Sequence, residues 1–161
     1  MTIKVGDRIP AVDFKELDGD GLSDVDSQAL FQGRRVAIFG VPGAFTPTCS
    51  AEHVPSYLKN ADALRAKGID EIACVSVNDA WVMSAWGAAQ GVGSNIRMLA
   101  DGNGAFAEAT GLELDASGFG LGQRSTRFSM IVDDGVVTAL HVEDDPDGMA
   151  STSAEELLKD A

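Results

Sequence analysis

The fold is decided by the stretch GVPGAFTPTC, residues 40–49. Residues 36–41 form an apolar run that predicts a buried strand, and a helical pattern follows the stretch. Two prolines and two glycines within residues 40–49 end the strand and turn the chain into the helix. Pro47 suits the first helical position, since its φ is already helical and its missing N–H needs no partner there. Thr46 is then the predicted N-cap, with its hydroxyl accepting from the amide of Cys49.

The composition predicts one globular domain over residues 1–161. A chain of 161 residues is long enough for one core but not comfortably for two. The hydrophobic fraction of 45% and the mean hydropathy of +0.02 fit a globular protein. No apolar run approaches the roughly 20 residues of a spanning helix, and the first residues lack the basic-then-apolar pattern of a signal peptide.

Charge and cysteine content narrow the expected partners and compartment. The formal net charge of -13 repels phosphate backbones and anionic membranes, so we expect neither nucleic acid nor a membrane as partner. Two cysteines cannot form a disulfide framework in a chain of 161 residues. They fit a reducing compartment, and we therefore expect a cytoplasmic protein.

Strand and helix patterns alternate along the chain. The predicted elements are an N-terminal strand and turn at 12–21, a strand at 36–41, a helix at 47–68 with a kink at Pro55, a strand at 72–77, a helix at 80–90 capped by the pair Asn78-Asp79, a strand at 96–100, a short helix at 105–110, a loop at 117–123, a hairpin at 128–142 and a last helix opening at Ser153. This order is that of a thioredoxin-like α/β fold. We expect a central mixed sheet flanked by helices, with an N-terminal hairpin extension.

Cys49 falls in the first turn of the predicted helix, where free amides and the helix dipole favour a negative charge. Cysteine thiols ordinarily have a pKa of about 8.5, and holding one as a thiolate at neutral pH takes about 2 kcal/mol. A helix N-terminus supplies only roughly 0.3–1 kcal/mol of this. Arg124 and Arg127 are candidates for the missing cation, because arginine stays charged and presents a donor fork. Two roles of His53 are equally consistent with the sequence: a structural residue or, if protonated, a cationic partner of the thiolate.

Other interpretations of the reactive residue types are open at this point. Cys74 lies mid-strand among apolar residues, which favours an inert core thiol. Cys49 and His53, four residues apart, would permit a Cys-His hydrolase or transferase, although no third group that orients the histidine is evident. A non-enzymatic hypothesis makes Cys49 the switch of a thiol redox sensor or holdase.

Metal sites are not predicted. The two histidines and two cysteines lack the spacing of a zinc site. The acidic stretch 143–148 resembles the first half of a calcium loop, but Ala154 stands where the bidentate ligand belongs. We therefore expect no metal and no resident cofactor.

The site motif resembles that of a known family. Pro42, Thr46 and Cys49 follow the Pro-x-x-x-Thr-x-x-Cys signature of peroxiredoxins. The further blocks SVND at 76–79 and RSTRFSM at 124–130 are similar to the type II, or five-like, subgroup, and the similarity covers almost the whole chain. The resemblance implies a thioredoxin fold, thiol-dependent reduction of hydrogen peroxide and organic hydroperoxides, and homodimers formed through the active-site edge. It also implies that Cys49 is the peroxidatic residue, with Thr46 and Arg127 as partners and Pro42 as a shield.

The expected oxidation product, a sulfenic acid on Cys49, must be reduced by a second thiol. Some five-like members carry a resolving cysteine in a loop near the C-terminus, where this chain reads DGMASTS at 147–153. Cys74 resembles the strand-borne second cysteine of type II members, and a rigid core position is poorly suited to reach Cys49. We therefore expect a one-cysteine cycle in which an external thiol, glutathione with glutaredoxin or thioredoxin, resolves Cys49.

Overall fold

A seven-stranded mixed sheet organises the computed structural model, which describes residues 2–145 and 148–161. Its strands are, in spatial order, β2 (Gly21–Val25), β1 (Phe14–Asp18), β5 (Arg97–Ala100), β4 (Glu71–Ser76), β3 (Arg35–Val41), β8 (Phe128–Asp133) and β9 (Val136–Val142). Strands β3, β4 and β5 are parallel, whereas β8 pairs antiparallel with β3. The central mixed sheet and the N-terminal hairpin of β1 and β2 are as predicted.

Short helices cover both faces of the sheet. They are α1 (Ser27–Phe31), α2 (Val54–Lys59), α3 (Ala61–Ala66), α4 (Ala80–Gln90), α5 (Ala105–Thr110) and α6 (Ala154–Leu158). A second, two-stranded sheet joins β6 (Glu113–Asp115) to β7 (Gln123–Ser125), with a 3₁₀ turn at Ser117–Phe119 between them. The prediction of a plain loop at 117–123 is therefore wrong, because these residues close a small hairpin.

Strand β3 is buried on both faces, which explains its continuous apolar sequence. Phe39 and Val41 join the core under α2, α3, α4 and α6. Val36 and Ile38 join a second core that α1 and α5 cover. The loop that follows β3 therefore starts from a rigid strand end.

The helix after this loop is irregular in a way that the sequence did not predict. Helical backbone begins at Pro47. A π-helical turn spans Cys49–His53, in which the Val54 N–H donates to the Cys49 carbonyl. Pro55 follows at the start of α2, directly after this widened turn. The kink expected at Pro55 stays a prediction, and a break at Asn60 separates α2 from α3.

Two features bear on the remaining expectations. Among the residues that the structure describes, no helix is long and apolar enough to cross a membrane. Within the acidic stretch 143–148, Pro146 and Asp147 lie outside the described residues.

Candidate active site

The loop 42–46 is anchored just before its start and in its middle. At its start, Gly40 packs against the ring of Phe128, since a Cβ on Gly40 would lie 2.1 Å from Cε1 of that ring. Within the loop, the Ala44 amide donates to Asn78 Oδ1 at 2.9 Å, and Ser76 Oγ donates to the same oxygen at 2.6 Å. The end of β4 therefore fixes the loop. Of the predicted cap pair, Asn78 serves this loop, and Asp79 caps α4 by accepting from the Val82 amide.

Two polar side chains meet the sulfur of Cys49, which is fully buried. Thr46 Oγ1 lies 2.9 Å and Arg127 Nη2 lies 3.1 Å from Cys49 Sγ. Arg127 is 2% exposed and directly precedes β8 in the chain. Arg124 instead donates to the carbonyls of Val77 and Leu121. Of the two arginines that the sequence left open, the structure brings Arg127 to the sulfur.

The Thr46 hydroxyl has two neighbours and one hydrogen. It lies 2.7 Å from the Gly43 carbonyl as well as 2.9 Å from Cys49 Sγ. The expected cap bond to the Cys49 amide is wrong, because the hydroxyl faces these two groups instead. When the hydrogen is donated to the Gly43 carbonyl, the Thr46 oxygen offers a lone pair on the side of the sulfur.

His53 touches the guanidinium rather than the sulfur. Its Nδ1 lies 2.9 Å from Arg127 Nη1, and its Nε2 lies 2.9 Å from the Thr152 carbonyl. Burial, and then the positive charge of Arg127, lower the pKa of His53 to about 3. His53 is therefore neutral at physiological pH, and the idea that it stabilises a thiolate as a cation is wrong.

Cys74 occupies a different environment on the same face of the sheet. It lies in the middle of β4 opposite Phe39, and it is fully buried. Burial first, and then the charge of Cys49, raise the pKa of the Cys74 thiol, although Arg127 opposes this. Both cysteines are free thiols.

A cleft of about 270 Å³ leads from the surface towards the site. Pro42, Thr46 and Arg127 form its inner end. Its outer wall is mainly apolar and comes from the β6–β7 hairpin, through Leu114, Ala116, Phe119 and Leu121. The sequence analysis missed these wall residues, because their hairpin is too short and too polar to give a strand pattern.

The site contains no recognisable place for a metal. Within residues 2–145 and 148–161, no group of three or more histidine, cysteine or acidic side chains is arranged to hold a metal ion. The expectation that no cofactor is needed stays a prediction.

Comparison with known proteins identifies the family. The Redoxin family pattern matches residues 4–158. Peroxiredoxin-2E, a chloroplastic protein of Arabidopsis thaliana, is 45% identical over 98% of this chain and 69% of its own length. The chain belongs to the peroxiredoxin family. Peroxiredoxins are thiol peroxidases, so this protein is an antioxidant oxidoreductase that reduces peroxide with a cysteine thiol and depends on a thiol reductant.

Solved peroxiredoxin structures share its fold. The reduced Prx3 of Vibrio vulnificus, solved in complex with hydrogen peroxide, is 49% identical, with a TM-score of 0.93 over 98% of each chain. Peroxiredoxin 5 of Alvinella pompejana is 36% identical, with a TM-score of 0.87 over 98% of this chain and 97% of that chain. The thioredoxin-like fold and the similarity to five-like peroxiredoxins are thereby confirmed.

Proposed function

We propose that Cys49 is the peroxidatic residue of this peroxiredoxin and that it reduces hydrogen peroxide and organic hydroperoxides. One observation carries the proposal: Cys49 Sγ lies 3.1 Å from a guanidinium nitrogen of Arg127 and 2.9 Å from the Thr46 hydroxyl. A buried sulfur beside a charged donor fork suits a thiolate, because a charge-assisted hydrogen bond replaces the water that burial removes.

The proposed reaction is an in-line displacement on the peroxide. The Cys49 thiolate attacks one oxygen, so an S–O bond forms while the O–O bond breaks. The sulfur is oxidised by two electrons to a sulfenic acid, and the leaving oxygen takes a proton from solvent and departs as water or an alcohol. Arg127 stabilises the charge on the leaving oxygen, and a lone pair of the Thr46 hydroxyl accepts a hydrogen bond from the peroxide O–H and so orients the peroxide. Pro42 shields the sulfur from bulk water.

The lining of the cleft is compatible with both hydrogen peroxide and organic hydroperoxides as substrates. Hydrogen peroxide needs only the polar inner end, formed by Thr46 and Arg127. The apolar wall that includes Leu114 and Phe119 suits the organic part of an alkyl hydroperoxide. A ranking of the two comes from the second-order rate constants of Cys49 oxidation by hydrogen peroxide and by cumene hydroperoxide.

The proposed cycle uses one cysteine of this chain. An external thiol attacks the sulfenic acid to form a mixed disulfide and release water. A second external thiol then restores the Cys49 thiol and leaves as the disulfide of the two external thiols. Cys74 is a poor alternative, because its raised pKa keeps it protonated inside the strand. We expect glutathione with glutaredoxin, or thioredoxin, to act as the reductant.

The test is peroxide consumption in the presence of excess thiol. The wild type and Cys74→Ser are expected to turn over, whereas Cys49→Ser is expected to lose all activity above background. Intact mass after one equivalent of peroxide, without reductant, is expected to show one added oxygen on Cys49. Activity retained in Cys49→Ser, or a mass lower by two hydrogens from a Cys49–Cys74 disulfide, contradicts the proposal.

The proposed assembly is a homodimer of single-domain chains, residues 1–161, that meet at the active-site edge. Exposed aromatic side chains support this choice: Phe119 is 70% exposed at the cleft wall, and Phe45 is 55% exposed in the Cys49 loop. Analytical ultracentrifugation tests it. Phe119→Ser together with Phe45→Ser is expected to shift a dimer towards monomer, and a wild type that is monomeric at all concentrations contradicts it.

The proposed compartment is the cytoplasm, where thiol reductants keep both free cysteines reduced. The net charge of -13 adds no affinity for anionic membranes or nucleic acid. One relative is chloroplastic by its name, so the compartment needs a direct measurement. Cell fractionation with an antibody against this chain provides that measurement, and recovery in a membrane or organelle fraction contradicts the proposal.

A further inference from the structure

A closed ring of contacts joins the main chain of Arg127 to its own guanidinium. The Glu143 amide donates to the Arg127 carbonyl at 2.9 Å, beside the end of β9. The Glu143 carboxylate holds the segment 151–152, and the carbonyl of Thr152 lies 2.9 Å from His53 Nε2. His53 Nδ1 lies 2.9 Å from Arg127 Nη1, which closes the ring.

The carboxylate of Glu143 is the most heavily bonded group of this ring. Its Oε1 accepts from the amide and hydroxyl of Ser151 at 2.6 and 3.2 Å. The same oxygen accepts from the amide and hydroxyl of Thr152 at 3.0 and 3.1 Å. Burial alone would raise the pKa of Glu143, but these hydrogen bonds outweigh it and lower the pKa. Four donors on one oxygen hold the backbone and side chains of residues 151 and 152, and the Thr152 carbonyl extends from this held residue.

The Thr152 carbonyl determines the tautomer of His53. A carbonyl oxygen only accepts, so the hydrogen of the neutral ring must lie on Nε2, which donates to it. Nδ1 then carries a lone pair and accepts from Arg127 Nη1. The other terminal nitrogen of Arg127 faces Cys49 Sγ at 3.1 Å. Nη1 of the guanidinium therefore contacts His53, while Nη2 contacts the sulfur of Cys49.

We infer that Glu143 is a positioning residue for peroxide reduction and acts on Cys49 through Arg127. Its carboxylate holds Thr152 through the amide and hydroxyl of that residue, and the Thr152 carbonyl orients His53. His53 in turn fixes the plane of the Arg127 guanidinium. This inference rests on the proposed function, since it gives Glu143 a role only if Arg127 assists Cys49. A long, flexible side chain needs such support, because a misplacement of about 1 Å is enough to cost up to a hundredfold in rate.

The first experiment measures single-turnover oxidation of Cys49 by hydrogen peroxide without reductant. Glu143→Ala is expected to slow it about tenfold, through loss of guanidinium orientation. The matched control is Glu108→Ala, at an exposed acid on α5, which is expected to keep the wild-type rate. A wild-type rate in Glu143→Ala overturns the inference.

A double-mutant cycle separates positioning from general support of the fold. His53→Leu removes both imidazole nitrogens, the donor to the Thr152 carbonyl and the acceptor from Arg127. If Glu143 acts through His53, then adding Glu143→Ala to His53→Leu slows the reaction little further. Effects that multiply instead mean that Glu143 acts elsewhere, and they overturn the inference. Should Glu143→Ala fail to fold, Glu143→Asp, whose shorter side chain withdraws the carboxylate from residues 151 and 152, takes its place in the same cycle.

Nitrogen NMR of the imidazole ring gives a readout that does not depend on peroxide. Reduced wild type is expected to show His53 with its hydrogen on Nε2, and Glu143→Ala is expected to show mixed tautomers or a rapidly exchanging Nε2–H. An unchanged His53 signal in Glu143→Ala overturns the inference. Arg127→Lys separates a failure of the proposed function from a failure of the inference about Glu143. If Arg127→Lys keeps the wild-type rate, the proposed role of Arg127 is wrong. If Arg127→Lys is slower than wild type but Glu143→Ala oxidises Cys49 at the wild-type rate, the proposed function stands and the inference about Glu143 is wrong.

Discussion

Cys49 and Cys74 are both fully buried and belong to the same core, yet their surroundings have little in common. The sulfur of Cys49 faces a hydroxyl and a guanidinium, at 2.9 and 3.1 Å. Cys74 lies within a strand, opposite Phe39, and burial raises its pKa. Exposure therefore does not separate a reactive thiol from an inert one in this protein. The difference lies in the polar groups around each sulfur, and the predictions below change those groups, the histidine that contacts one of them, or the second cysteine.

The largest expected effect is on the stability of the fold in acid, and it arises at His53, which contacts Arg127. Its pKa is about 3 in the folded protein against an ordinary value of 6.5, so its stabilising contribution is full above pH 6.5. That contribution falls as the pH drops from about 6.5 to about 3, by about 5 kcal/mol in total, because the unfolded chain binds the proton first. Chemical denaturation of wild type and His53→Gln between pH 7 and 4 measures the difference. Equal slopes in the two proteins contradict the prediction.

Arg127 is the strongest donor that distinguishes the two sulfurs. Arg127→Lys is expected to lower the second-order rate constant of Cys49 oxidation by about 10²-fold, since a single ammonium cannot replace the fork that contacts both His53 and the sulfur. Stopped-flow mixing with hydrogen peroxide measures it. The matched control is Arg124→Lys, whose guanidinium contacts carbonyls only and which is expected to lose less than about threefold. Similar losses in both variants contradict the assignment.

Thr46 provides the second polar contact of the Cys49 sulfur. Thr46→Val keeps the shape but removes the hydroxyl, and it is expected to slow peroxide reduction about tenfold through lost orientation of the peroxide. Thr46→Ser keeps the hydroxyl and is expected to retain most of the rate. The same stopped-flow measurement applies. A serine variant as slow as the valine variant would mean that the methyl group, and not the hydroxyl, matters.

The smallest effect is expected at Cys74. Cys74→Ala is expected to keep turnover with an external thiol within about twofold and to cost about 1 kcal/mol of unfolding free energy, because it only removes packed volume from the core. Steady-state peroxide consumption and urea denaturation measure the two quantities. A large loss of turnover with unchanged stability would make Cys74 a participant in the cycle, and it would remove the contrast between the two thiols.

The parts of the molecule that local patterns determine were predicted from the sequence. Strand β3, helix α4 with its acidic cap, and hairpin β8–β9 all lie close to their expected positions. The β6–β7 hairpin was missed, since its three-residue strands carry little apolar signal and depend on their pairing. The π-helical turn was missed as well, because a helical hydrophobic repeat does not report a single widened turn.

The candidate site divides in the same way. Pro42, Thr46 and Cys49 share one loop, so their spacing in the sequence was informative. Arg127 stands 78 residues from Cys49, and the residues alone left it equal to Arg124. The partner of His53 is a main-chain carbonyl 99 residues away, and any residue type can supply a carbonyl. The contact between His53 and this carbonyl therefore leaves no pattern in the sequence, whereas the contact of Arg127 was implied by the resemblance to peroxiredoxins.

The π-helical turn Cys49–His53 has a consequence for how the thiol is aimed. A regular helix advances about 100° per residue, so adding one residue within a turn rotates everything before it by that angle. Here Val54 and Tyr57 of α2 pack in the core in one helical phase, while Cys49 lies before the widened turn in another. The direction of the sulfur and the docking of the helix are thereby uncoupled. A chain with this feature can re-aim its nucleophile by a change of one residue, without rebuilding the hydrophobic face behind it.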